Sequence, residues 1–154
     1  MTRRAWRIVQ QRHGANAFDG EGARRYGGRW TRPGTPIIYC SQSLSLATLE
    51  VLVNLDSGQA LRRYVSIPVD FADELCHSMS PEELPEDWAI DPPSVSTQQF
   101  GSAWAASLTS LILEVPSSIV PSEVNFLINP GHPEFADLTI GDPRPFVLDP
   151  RLHG

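Results

Sequence analysis

Three residues in the stretch Gly27 to Leu55 carry groups suited to chemistry on a charged ligand: Arg29, Tyr39 and Glu50. The guanidinium of Arg29 is a planar fork that grips a carboxylate or phosphate through paired N–H donors. It follows Gly27-Gly28, where the backbone can turn sharply and approach whatever the fork holds. Tyr39 brings an aromatic face and a phenol to the end of Ile37-Ile38-Tyr39-Cys40. Glu50 is the only acid of the stretch and stands among apolar residues. Such a carboxylate either belongs to a narrow solvated edge or is aimed into a cleft. In a cleft it can hold a ligand hydroxyl or stabilise a developing cation, provided that partners are supplied.

These groups need a scaffold, and the local sequence predicts one. Arg32-Pro33-Gly34-Thr35-Pro36 reads as a turn, and Ile37 to Cys40 as a short buried strand. Ser41 or Ser43 can then N-cap a helix running from about Leu44 to Leu55. At about 100° per residue, Leu44, Ala47, Val51 and Leu55 share one stripe. Leu49 and Val53 lie opposite, while Glu50 and Asn54 share the polar edge. Upstream, Trp6-Arg7-Ile8-Val9 reads as a first strand, with Trp6 and Ile8 facing one way and Arg7 the other, from which Arg7 is expected to reach the cleft.

Further along, Arg62 to Asp70 alternates as a strand, with Val65, Ile67 and Val69 on one face and Pro68 marking an edge position. Asp70 to Asp91 holds eight acids and no base, and reads as a solvated insertion or as a contact for a basic partner. Ser80-Pro81-Glu82-Glu83 is a good helix start. Ser96 to Gln99 resembles a capping box opening a helix through Phe100, Trp104 and Leu108, with Trp104 in the core. Strands follow at Leu111 to Val115 and Val124 to Ile128, then at Asp137 to Ile140 and Pro145 to Asp149. Short strands with two or three packed helices make an α+β domain.

With 154 residues, 41% of them hydrophobic, the chain is expected to be a single cytosolic domain, 1–154, without a membrane span or secretory signal. Cys40 and Cys76 lack framework spacing and are expected to be reduced. His13, His77, His132 and His153 each lack a second ligand at metal spacing, so no zinc site is expected. The net charge of −6 conceals an asymmetry: residues 1–32 carry +6 and the remainder −12. Every base is an arginine, which rules out a Walker A loop and suits a small anion better than nucleic acid. Gly20-Glu21-Gly22 opens like a dinucleotide fingerprint, but Arg25 stands where its third glycine belongs. Neither Ser117 nor Cys40 has the histidine and acid of a hydrolase elbow nearby in sequence.

Gly-Gly-Arg-Trp, the proline-containing turn, a Tyr ten residues after the Arg and Leu-Glu-Val-Leu about Glu50 together resemble the RES domain. That domain is the toxin half of bacterial Xre-RES toxin-antitoxin pairs. Ala5-Trp6-Arg7-Ile8 resembles its opening strand, Val115-Pro116-Ser117 with Asn125 and Asn129-Pro130 its second site segment, and Phe146 to Leu152 its ending. The resemblance implies an ADP-ribosyltransferase-like split mixed sheet around an NAD-binding cleft. It implies an NAD-degrading toxin with Arg29, Tyr39, Glu50 and Ser117 as catalytic residues, Ser118 and Ser122 being the other serines in reach. Arg7, Arg29, Tyr39, Ser117 and Asn125 would bind NAD, and no metal is implied. An Xre-type helix-turn-helix antitoxin would be its partner in a hetero-oligomer. ADP-ribosyl transfer to a host protein and a non-catalytic binding module are the alternatives.

Overall fold

The structure, a computed structural model, describes residues 1–55 and 62–152; the expectation for His153 lies outside them. Its longest strands are β1, Thr2–Gln10, and β3, Tyr64–Ala72, which pair antiparallel over their whole length from Thr2↔Ala72 to Gln10↔Tyr64. The other strands are β2 (Ile38–Ser41), β4 (Cys76–Ser78), β5 (Ile112–Pro116), β6 (Val124–Ile128), β7 (Thr139–Ile140) and β8 (Arg144–Phe146). They form one sheet in the order β4-β5-β6-β2-β1-β3-β7, with β8 also on β3, and β4 with β5 is its parallel pair. Between β1 and β2 the single register pair is Trp6↔Ser41, so two half-sheets part on either side of one joint. This is the split mixed sheet of an α+β fold.

Strand alternation sorts the side chains onto two faces. One face carries Ala5, Ile38, Cys40, Val69, Phe71, Ile112, Phe126 and Ile128, packed as one core. On the other face two clusters stand apart. Leu113, Val115 and Leu127 pack with Trp30 and Trp104, and Ile8 and Tyr64 pack with Ala47 and Leu148. A row across four strands, Trp6, Ser41, Asn125 and Val115, runs from one cluster to the other. Its two polar members mark the strip between them.

Helix α2, Leu44–Leu52, roofs the second cluster. Ser43 caps it, its Oγ accepting the Leu46 N–H at 3.0 Å. Helix α3, Val95–Ser107, covers the first cluster with Trp104 buried as expected. Its cap is Ser94 rather than Ser96, because the Ser94 Oγ accepts the Thr97 N–H at 3.1 Å. Gly101 lets α3 approach: a Cβ there would stand 1.7 Å from the Trp30 carbonyl oxygen.

Two expectations change in three dimensions. Strand β3 is interior, not an edge. Pro68 is tolerated because it lies between the positions paired with β8 and β7, and its carbonyl accepts from the Gly141 N–H at 2.8 Å. The acidic stretch is no mere insertion, since it contains the end of β3 and all of β4. Glu21–Tyr26 forms a short helix, α1, closed by Gly27 at φ +72°.

Candidate active site

Glu50 is presented by α2 to the strip between the two clusters, and segments distant in sequence meet its carboxylate. The Asn125 Nδ2, from β6, donates to Glu50 Oε2 at 2.6 Å, and the Ser117 Oγ, just after β5, donates to the same oxygen at 3.1 Å. Charge-assisted bonds of this kind are about twice as strong as neutral ones. Glu50 Oε1 has no hydrogen bond among the described residues, leaving one oxygen of a fixed carboxylate for a ligand.

Each donor is itself oriented. The Ser117 Oγ accepts the Ile119 and Val120 N–H groups at 3.1 and 3.2 Å, so its lone pairs are engaged and its proton points to Glu50. Ser117 is fully buried, whereas Ser118 is half-buried and Ser122 exposed, and neither has a side-chain hydrogen bond among the described residues. On the other side, the Ser41 Oγ donates to Asn125 Oδ1 at 2.7 Å. Ser41 was missed as a site residue, although period-two alternation already places it on the same strand face as Tyr39.

Tyr39 stands one position along that face from Ser41, about 7 Å away by strand geometry. Its phenol oxygen accepts the Trp30 N–H at 3.3 Å and bonds the Thr31 hydroxyl at 2.8 Å. Burial raises the phenol above its ordinary value, only partly offset by Thr31, the Trp30 N–H and the nearby Arg29 charge, so it stays neutral. Gly28 is required here by contact rather than by backbone angle, since a Cβ would lie 2.6 Å from the Tyr39 hydroxyl.

Arg29 is held by the end of the acidic stretch. It donates through Nη1 to the carbonyls of Trp88, at 3.1 Å, and Ile90, at 2.5 Å, and through Nη2 to Asp91 Oδ1 at 3.1 Å. Trp88 stacks on Trp30 with ring centroids 6.1 Å apart, which fixes that segment against the loop. Three of the five guanidinium N–H groups are thus used and two remain for a ligand.

Arg7 is not brought to this cluster. Its neighbours across β3 are Ile67 and, along β1, Val9, so it projects from the face opposite α2. There it donates to the Ala17 carbonyl at 2.7 Å and the Tyr39 carbonyl at 2.9 Å, close to the joint where β1 and β2 part. Burial pulls this guanidinium below its ordinary value, opposed by Cys40 and Asp19. The sequence pattern correctly separates Arg7 from Trp6 and Ile8, but the helix bearing Glu50 packs over Trp6 and Ile8.

A carboxylate on a helix thus meets a serine and an asparagine beside the joint of a split sheet, and Tyr39, with the Arg29 charge nearby, stands one position along the same strand face from Ser41. The RES domain family model matches residues 4–149. The chain belongs to the RES domain family. This RES domain is 38% identical over 148 residues to Toxin Res of Yersinia enterocolitica, covering 96% of this chain and 97% of that protein. It is 39% identical over 158 residues to the Prs ADP-ribosylating toxin of a Sphingobium species, covering 99% and 98%. A solved structure, the toxin-antitoxin complex MbcT-MbcA of M. tuberculosis, shares its fold with a TM-score of 0.77 at 20% identity, covering 96% of this chain and 85% of that one.

Proposed function

We propose that this RES domain is the toxin of a type II toxin-antitoxin pair and arrests growth by consuming NAD, breaking the bond between nicotinamide and ribose. The observation that carries the reading is Glu50, with one oxygen tied to Ser117 and Asn125 and the other without a hydrogen-bond partner among the described residues. As the bond breaks, its electron pair leaves with nicotinamide and the ribose becomes oxocarbenium-like. A carboxylate already oriented toward that charge, and accepting a ribose hydroxyl, lowers the barrier without having to reorganise. The neutral phenol and ring of Tyr39 suit the nicotinamide or ribose, and the two remaining N–H groups of Arg29 suit pyrophosphate oxygens. Ser117 and Asn125 act here by holding Glu50.

The acceptor of the ADP-ribosyl group is water or phosphate in the first reading. Transfer to a host protein is the second, supported by the likeness to a relative named as an ADP-ribosylating toxin. Incubating the purified protein with NAD alone separates them. Release of nicotinamide with water or phosphate as the sole acceptor supports NAD degradation; release that requires added protein supports transfer. The likeness to a toxin-antitoxin complex supports an antitoxin partner, which we take to be an Xre-type helix-turn-helix protein in a cytoplasmic hetero-oligomer. Among the described residues no helix is long and apolar enough to cross a membrane.

A further inference from the structure

We infer that Ser41 is a positioning residue of this site, fixing which end of the Asn125 carboxamide faces Glu50; its kinetic consequence rests on the function proposed above. The two ends of a carboxamide have nearly the same shape and opposite chemistry, one a donor and the other an acceptor. Glu50 Oε2 can only accept, so it requires the Asn125 Nδ2, which lies at 2.6 Å. The other end must then meet a donor, and the Ser41 Oγ supplies it at 2.7 Å to Oδ1. Hydrogen-bond direction thus runs one way, from Ser41 through Asn125 to Glu50, where the Ser117 bond also ends.

Two features suit Ser41 to this task. It is 4% exposed, so solvent offers little substitute for its hydroxyl. It is also held on both sides: Ser41 pairs with Asn125 in the β2–β6 register and with Trp6 at the one register pair that joins β1 to β2. The donor is therefore anchored where the half-sheets meet, directly opposite the residue that it orients. Without it, a half-buried carboxamide oxygen loses its protein donor and the amide is free to turn, presenting an acceptor to a carboxylate.

The isosteric pair Ser41→Thr and Ser41→Val tests this, since both add the same bulk and only one keeps a hydroxyl. Steady-state NAD cleavage is expected to show kcat for Ser41→Val lower than for Ser41→Thr by roughly five- to tenfold, with KM unchanged between them. In an Asn125→Ala background the two should be equal, because Ser41 acts through Asn125. NMR exchange of the Asn125 side-chain amide protons gives a readout independent of turnover, slow in wild type and Ser41→Thr and faster in Ser41→Val. Equal kcat and equal exchange in Thr and Val variants overturn the inference, as does a kcat difference that persists without Asn125. If Glu50→Gln keeps full activity, the proposed function falls, while the amide exchange still decides the role of Ser41.

Discussion

Replacing Glu50 by glutamine separates chemistry from scaffolding, because the structure allows the new amide one orientation. Glu50 Oε2 accepts two donors, Asn125 Nδ2 at 2.6 Å and Ser117 Oγ at 3.1 Å. A glutamine must keep its oxygen there, since an NH2 group would set donor against donor. Both hydrogen bonds then survive in neutral form, and the amide nitrogen takes the place of the free oxygen. Charge-assisted bonds contribute about 1.5–3 kcal/mol and neutral ones about 0.5–1.5. With Glu50 only half-buried, the expected stability loss is about 1 kcal/mol, or about 2–4 °C in melting temperature for a chain of this size. The rate should suffer far more. Loss of one preorganised electrostatic contact costs about 10²–10³ in kcat, and here the lost charge is replaced by a donor pointing at the developing cation. NAD consumption at saturating substrate, measured beside thermal melting of the same samples, reads both. Equal NAD consumption by the two proteins would refute the role of Glu50. So would a melting loss above about 10 °C, which would make Glu50 a scaffold residue.

Arg29→Lys removes a fork that reaches Trp88, Ile90 and Asp91 together, so hydrogen exchange in residues 88–91 should quicken and KM for NAD rise by about tenfold or more; unchanged KM would move the anion grip elsewhere. Ser117→Ala should slow NAD cleavage and cost about 1–3 kcal/mol by leaving the Ile119 and Val120 N–H groups unsatisfied, while Ser122→Ala stays within about 0.5 kcal/mol. The reverse ranking, by urea denaturation and NAD turnover, would move the functional serine to Ser122. Gly101→Ala forces a Cβ to 1.7 Å from the Trp30 carbonyl oxygen, with backbone on both sides and no flexible side chain to yield. It should lower the melting temperature by about 6–12 °C, the equivalent of about 3 kcal/mol.

Much of the scaffold was local information and could be read directly. Helix α2 forms where good helix formers follow Ser43, and β6 forms at Val124–Ile128 as its alternation predicts. Val65, Ile67 and Val69 share a buried face for the same period-two reason. Short-range capping chemistry was legible in type but not in choice: of the serines at 94 and 96, Ser94 takes the Thr97 N–H, while the Ser96 hydroxyl donates to Asp87 Oδ1 at 3.1 Å. Arg29, Tyr39 and Glu50 stood out because their residue types conflict with, or exceed, what their surroundings need.

What the sequence determined by itself was therefore which side chains share a face, and what the tertiary structure alone decided was which face the helix covers. Alternation separates Arg7 from Trp6 and Ile8 but carries no sign. Only the packing of α2 over Trp6 and Ile8 sends Arg7 to the far side, where it serves the Ala17 and Tyr39 carbonyls instead of the cleft. In the same way, Glu50 lies 67 residues from Ser117 and 75 from Asn125, and no local period links them. The β2–β6–β5 register joins them by setting Asn125 beside Ser41 and placing Ser117 just beyond the paired end of β5. Register is a property of paired strands, and a pairing energy does not exist until the strands meet.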